Sequence, residues 1–121
     1  MKSILLILSF LSLAYCGDIK KEFYSNGNVE IEESFENEVK HGPAKSYFES
    51  GKLEAEMNYT NGKRDGITKS YYENGQLESV VSYNNGKRNG LVKSYYEDGK
   101  PESEVMFKNG APVGSIKRYG H

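Results

Sequence analysis

Between Leu53 and Tyr59 apolar and polar residues alternate one for one. Leu53, Ala55, Met57 and Tyr59 fall on one side, and Glu54, Glu56 and Asn58 on the other. The pattern returns as Leu77, Ser79, Val81 and Tyr83 against Glu78, Val80 and Ser82, and again as Pro101, Ser103, Val105 and Phe107. Alternation with a period of two predicts a strand with one packed face. Pro101 has no N–H to give a ladder, so it belongs at the start of its strand or on a non-bonded side. The interval between copies is 24 residues. Gly42, Gly66, Gly90 and Gly114 head the copies, and Tyr47, Tyr71, Tyr95 and Tyr119 follow. Gly51, Gly75 and Gly99 mark a first turn; Gly62, Gly86 and Gly110 mark a second. Self-similarity at a fixed period of this size predicts an array of one supersecondary unit. The copies are 18–41, 42–65, 66–89 and 90–113, with a partial copy at 114–121 and Asp18 in the glycine position of the first.

The turns set the expected register. Asn74-Gly75 between alternating runs predicts a two-residue type I′ turn, in which both central residues take positive φ. It pairs Tyr72 with Leu77, Tyr71 with Glu78 and Lys69 with Val80, and by repetition Lys45 with Glu56 and Lys93 with Glu104. The same register puts Gly42, Gly66 and Gly90 beside Tyr59, Tyr83 and Phe107, aromatics that cover bare backbone. The second turn, 84–89, reads as a longer loop with solvated Lys87 and Arg88, less regular at Asn37-Glu38 where Glu replaces Gly. The fold class is therefore all-β: tandem antiparallel β-hairpin repeats forming an elongated, twisted single-sheet meander. About nine strands at roughly 4.8 Å spacing span on the order of 38 Å.

One stretch breaks the pattern. Lys2, the apolar run Ile4–Leu13 and the exit Ala14-Tyr15-Cys16-Gly17 read as a signal peptide over 1–16, too short to span a bilayer. Residues 17–121 then form an exported repeat domain that is periplasmic, attached to the envelope or secreted. Two routes are open at the exit. Leu13-Ala14-Tyr15-Cys16 resembles a lipobox, with Cys16 the lipidated residue and the membrane contact; Tyr15 departs from that pattern, and ordinary cleavage after Ala14 or after Cys16 is the equal alternative. Cys16 is the only cysteine, so no disulfide forms within the chain.

Composition removes several function classes. A formal charge of -1 lacks the basic excess that nucleic-acid binding requires. His41 and His121 stand in unequal repeat contexts, and Ser46, Ser70 and Ser94 recur without a partnering base, so no catalytic residue is assigned. Glu54, Glu78 and Glu102 recur at about 9–10 Å, too far apart to share a cation, so no metal or cofactor site is assigned either. The remaining candidate is a partner-binding stripe: Lys45-Tyr47, Lys69-Tyr71, Lys93-Tyr95 and Lys117-Tyr119. Repeated tyrosine offers rigid amphipathic contact area, and lysine offers directional charge. The apolar face with Tyr72, Leu77, Val81 and Tyr83, and the open terminal strands near Ile19 and Ile116, are further candidates.

The pattern Gly-x-x-Lys-x-Tyr-Tyr-x-x-Gly-x-Leu, followed by Tyr-x-Asn-Gly-Lys, resembles the MORN-variant repeat family over residues 18–121. The resemblance implies β-hairpin arrays used for binding and scaffolding, with no catalytic centre. The expected function is an exported, non-enzymatic protein that mediates protein–protein interaction or envelope scaffolding. Two alternatives stand beside it. One is an antitoxin-like immunity protein that neutralises a cognate toxin, implied by the family; the other is a membrane-surface or lipid-binding scaffold.

Overall fold

A computed structural model describes residues 4–9 and 17–120 of the chain. The strands are β1 (Ile4–Ser9), β2 (Asp18–Phe23), β3 (Val29–Glu36), β4 (Val39–Tyr47), β5 (Leu53–Thr60), β6 (Lys63–Arg64), β7 (Gly66–Tyr71), β8 (Leu77–Asn84), β9 (Lys87–Arg88), β10 (Gly90–Tyr95), β11 (Pro101–Lys108) and β12 (Ala111–Arg118). They form one open antiparallel sheet in which chain order is spatial order. β6 and β9 are short ladders on β5 and β8, so the expected meander is carried by the long strands from β2 to β12. The backbone of β1 pairs with β2, from Ile4 opposite Phe23 to Ser9 opposite Asp18. Cys16 and His121 lie outside the described residues.

Mid-strand, the expected register is the observed one. Lys69 pairs with Val80, Lys45 with Glu56, Lys93 with Glu104, and Gly42, Gly66 and Gly90 with Tyr59, Tyr83 and Phe107. Near the first turn the expectation fails, because Tyr71 pairs with Leu77 rather than Glu78. The Tyr72 carbonyl accepts from Gly75 N at 2.9 Å and Tyr72 N donates to the Gln76 carbonyl at 2.8 Å. Gly75 has φ 90°, whereas Asn74 is absent from the positive-φ residues. The loop is therefore the three-residue Glu73-Asn74-Gly75, a tight turn closed by a glycine bulge, and not a type I′ turn. Glu78 is then the extra residue of a bulge between the pairs Ser70–Ser79 and Tyr71–Leu77. Glu54 and Glu102 hold the same place in their copies.

The type I′ turns occur at the other end of each unit. Asn85 and Gly86 have φ 51° and 85°, and Asn84 pairs with Lys87 across them. Asn61-Gly62 and Asn109-Gly110 repeat this, with Thr60 opposite Lys63 and Lys108 opposite Ala111. The expected long loop is thus a two-residue hairpin. Asn37-Glu38 is equally regular: Glu36 pairs with Val39, and Glu38 takes φ 66° without being glycine. After the turn the returning strand bulges. Moving from Phe35 to Glu33 on β3 corresponds to moving from Lys40 to Ala44 on β4. The head glycine lies in this bulge, with φ 106°, 91°, 113° and 78° at Gly42, Gly66, Gly90 and Gly114. A side chain there would oppose the backbone conformation, which accounts for glycine heading each of these copies.

Among the described residues the sheet has no second layer to pack against. Ala44 is 3% exposed and Ser34 7%, its hydroxyl donating to the Pro43 carbonyl at 2.7 Å; no large side chain of the described residues is fully buried. The apolar face is half-buried, with Tyr72, Leu77, Val81 and Tyr83 all partly covered. Cohesion comes from bonds between copies. Tyr24 and Tyr72 hydroxyls each donate at 2.7 Å to the carbonyl of Tyr47 and of Tyr95. Burial, then the carboxylates of Glu30 and Glu78 respectively, raises both phenols above their ordinary pKa. Asn26 and Asn74 amides reach the Glu49 and Glu97 carbonyls. At the opposite edge Gly62, Gly86 and Gly110 N–H groups donate at 2.8 Å to the carbonyls of Lys40, Arg64 and Arg88.

Two substitutions test this account. Glu38→Gly relieves a left-handed non-glycine residue and should raise stability by roughly 0.5–1 kcal/mol in urea unfolding. Phe48 interrupts the tyrosine–carbonyl ladder, and Phe48→Tyr should place a hydroxyl at the Tyr71 carbonyl and add about 1 kcal/mol. An unchanged midpoint in either variant contradicts the corresponding assignment.

Candidate interaction surface

The candidate lysines occupy one transverse row. Reading across the sheet, it runs Lys21, Glu32, Lys45, Glu56, Lys69, Val80, Lys93, Glu104 and Lys117, each residue paired with the next. Charge alternates along the whole row except at Val80. Lys21 and Glu32 approach to 3.1 Å and Lys93 and Glu104 to 4.0 Å. Opposite charges directly across strands contribute about 0.2–1 kcal/mol each, so the row reinforces the register as well as presenting lysines.

The tyrosines follow two residues along the same strands. Tyr47, Tyr71 and Tyr95 pair with Leu53, Leu77 and Pro101 across the glutamate bulges. Tyr71 stands two residues beyond Lys69 on β7, so its ring is on the lysine side; burial and then the nearby Glu56 carboxylate raise its phenol above the ordinary pKa. Tyr71 borders a shallow depression of about 390 Å³ with Lys52, Leu53, Asn74 and Gly75. Lys93, Tyr95 and Tyr119 come together in a smaller depression of about 160 Å³ that also holds Glu104. Tyr119 donates its hydroxyl to Glu104, and the Lys117 ammonium stands 4.8 Å from the Tyr119 ring centroid. Lys45 and Tyr47 hold the equivalent register positions on β4, apart from this cluster. The candidates thus form a periodic stripe, with one compact group at its C-terminal end.

The opposite face carries a feature that the sequence reading missed. Glu56 and Tyr59 are three residues apart on β5 and so project to opposite sides. On the Tyr59 side aromatic and cationic side chains alternate. Lys20 lies 4.0 Å from the Phe35 centroid, Lys40 5.1 Å from Tyr59, Arg64 5.3 Å from Tyr83 and Arg88 5.3 Å from Phe107. The intervening links are strand pairs: Phe35–Lys40, Tyr59–Arg64 and Tyr83–Arg88. Arg64 also donates to the Tyr83 hydroxyl at 3.2 Å, and Lys40 meets Glu33 at 2.6 Å. Such contacts contribute about 0.5–1 kcal/mol at exposed sites. Arg88 is exposed, as expected, and its guanidinium also stacks on Phe107. The signal lay in the recurring aromatic-x-x-x-x-cation spacing, which pairs across a two-residue turn and not across a longer loop.

The recurring serines are held in hydrogen bonds, and Ser94 donates to the Glu102 carboxylate at 2.9 Å. Ser70 and Ser79 hydroxyls bond each other at 2.6 Å, and Ser94 and Ser103 at 2.7 Å. No group of three metal-ligating side chains gathers among the described residues. The His41 Nδ1 accepts from Asn61 N at 3.2 Å, where Asn89 accepts from Asn109 N in a later copy. It is a turn-capping side chain.

Arg64→Ala should lower stability by about 1–2 kcal/mol in urea unfolding, and Arg64→Lys by less, because it loses an aromatic stack and a hydrogen bond. Arg88→Ala should cost less than Arg64→Ala, since Arg88 is exposed and Arg64 half-buried.

No curated protein matches the chain. The sequence pattern of the MORN repeat variant matches it four times, at residues 19–37, 40–61, 64–85 and 88–109. Each match from the second onward begins at the cation of the aromatic–cation ladder and closes on the following type I′ turn. MORN repeats are a non-enzymatic repeat type that generally mediates protein or membrane interaction. With four tandem matches over most of its length, the chain belongs to the MORN repeat variant family.

Proposed function

We propose that the chain is an exported, non-enzymatic array that binds another protein through its lysine–tyrosine face. The observation that carries this reading is the periodic stripe of Lys45-Tyr47, Lys69-Tyr71, Lys93-Tyr95 and Lys117-Tyr119 on a sheet with no covering layer. Rigid aromatic rings beside charge are the composition of contact surfaces that bind at low entropic cost. Export rests on Lys2 and the apolar run Ile4–Leu13. Lipidation of Cys16 would hold the array at a membrane surface, and the intact mass of the mature protein decides between that and ordinary cleavage.

Affinity capture with the full chain from native envelope fractions, beside a Tyr47→Ala, Tyr71→Ala, Tyr95→Ala variant, tests the stripe. A stoichiometric protein that is lost by at least tenfold in the variant, with the β circular dichroism retained, supports the reading. Equal capture by both chains removes the stripe as the contact. A captured toxin whose activity the chain suppresses would make the array an immunity protein.

A further inference from the structure

The repeat register specifies what belongs beside each first strand of a unit. β4, β7 and β10 are covered on their downstream side by β5, β8 and β11. In each case an aromatic faces the head glycine: Tyr59 on Gly42, Tyr83 on Gly66, Phe107 on Gly90. An aliphatic faces the residue two further on: Met57 on Ala44, Val81 on Thr68, Val105 on Val92. Lys45 and Lys93 each face a glutamate, Glu56 and Glu104, and Lys69 faces Val80.

β12 is the next strand of this type, and among the described residues it pairs with β11 alone. It has the same bulged shape, with Gly114 at φ 78° and the register shift between Glu104 and Met106. Lys117 ends the alternating charge row with Glu104 on one side. Ile116, in the position where Ala44 is 3% exposed, is 49% exposed. We propose that the free edge of β12 is a docking site for one extended segment of a partner protein. That segment runs antiparallel to β12 and carries the order Glu-(Val or Met)-x-(Tyr or Phe). Its glutamate meets Lys117, its aliphatic covers Ile116 and its ring lies on Gly114, while main-chain hydrogen bonds complete the ladder.

A second copy of the chain does not supply that strand. β3, β5, β8 and β11 each have neighbours on both sides. β1, the opposite edge of the described sheet, reads Ile-Leu-Leu-Ile-Leu-Ser; β2, the edge left if residues 1–16 are removed, reads Asp-Ile-Lys-Lys-Glu-Phe; and β12 itself has no acid, so none carries the acid–aliphatic–x–aromatic order. The edge shares Lys117 with the lysine–tyrosine stripe, but its other contacts, Gly114, Ile116 and backbone, lie outside it, and none of the four is altered in the triple tyrosine variant.

The probe is a fluorescent, end-capped peptide with the sequence of Leu53–Thr60, titrated against the full chain by anisotropy. Saturable binding is expected. Lys117→Glu should weaken it about threefold to tenfold, and a peptide with Glu56→Lys should recover the loss. Two further peptides, N-methylated on alternate residues, serve the unaltered chain and do not depend on the variant folding. Strand addition requires one set to lose binding and the other to keep it. Equal binding by both sets, no saturation by the unmethylated peptide, or self-association of the chain that excludes the peptide would overturn the proposal. The triple tyrosine variant should bind this peptide unchanged, so failure here and failure of the stripe are separate results.

Discussion

A sheet one layer thick offers almost no place to surround a side chain, and the buried apolar side chain among the described residues is the methyl of Ala44. Hydrophobic burial, the main driving force for folding in most domains, is therefore weak here, and order has to propagate sideways. Each copy holds its neighbour through three kinds of lateral link. Charge alternates on one face, cations and rings alternate on the other, and turn amides bond to carbonyls of a neighbouring copy at both edges. All three repeat with the same period, which is why an interaction worth less than about 1 kcal/mol at one site can matter along an array.

The two faces consequently do different work. The aromatic–cation side engages most of its polar groups internally: Lys40 with Glu33, Arg64 with Tyr83, Ser70 with Ser79. The lysine side leaves more for an outside partner. Val80 interrupts its charge row, so Lys69 and Lys93 both border an apolar residue in mid-sheet. Ile67, Leu91, Met106 and Val113 remain exposed, and Leu91, Met106 and Val113 are consecutive cross-strand neighbours. Exposed apolar area therefore lies beside the lysines on this face.

Much of the fold was legible from spacing. The period, the alternation on β5, β8 and β11, and the mid-strand pairs all follow from the residues. The Lys69–Val80 pair nevertheless emerges from an argument with two compensating faults. The loop has three residues and not two, and the bulge at Glu78 restores the register beyond it. Asn-Gly occurs in both turns, so the dipeptide alone does not distinguish a type I′ turn from a three-residue loop ending in a bulge. Only the count of residues between paired positions does. The same count hid the Tyr59–Arg64 and Tyr83–Arg88 pairs. The stripe was legible because period two needs no turn geometry; the cation–ring ladder crosses a turn and was not.

The hairpin tips have a chemical consequence. Asn-Gly is the dipeptide most prone to spontaneous loss of ammonia, when the glycine nitrogen attacks the asparagine side chain and closes a five-membered imide. At Asn26-Gly27, Asn61-Gly62, Asn74-Gly75, Asn85-Gly86 and Asn109-Gly110 that nitrogen already donates to a carbonyl, of Tyr24, Lys40, Tyr72, Arg64 and Arg88 respectively. The fold occupies the attacking atom at each tip. Ageing of the protein then reports local opening, tip by tip, and a single converted asparagine records which hairpin came apart.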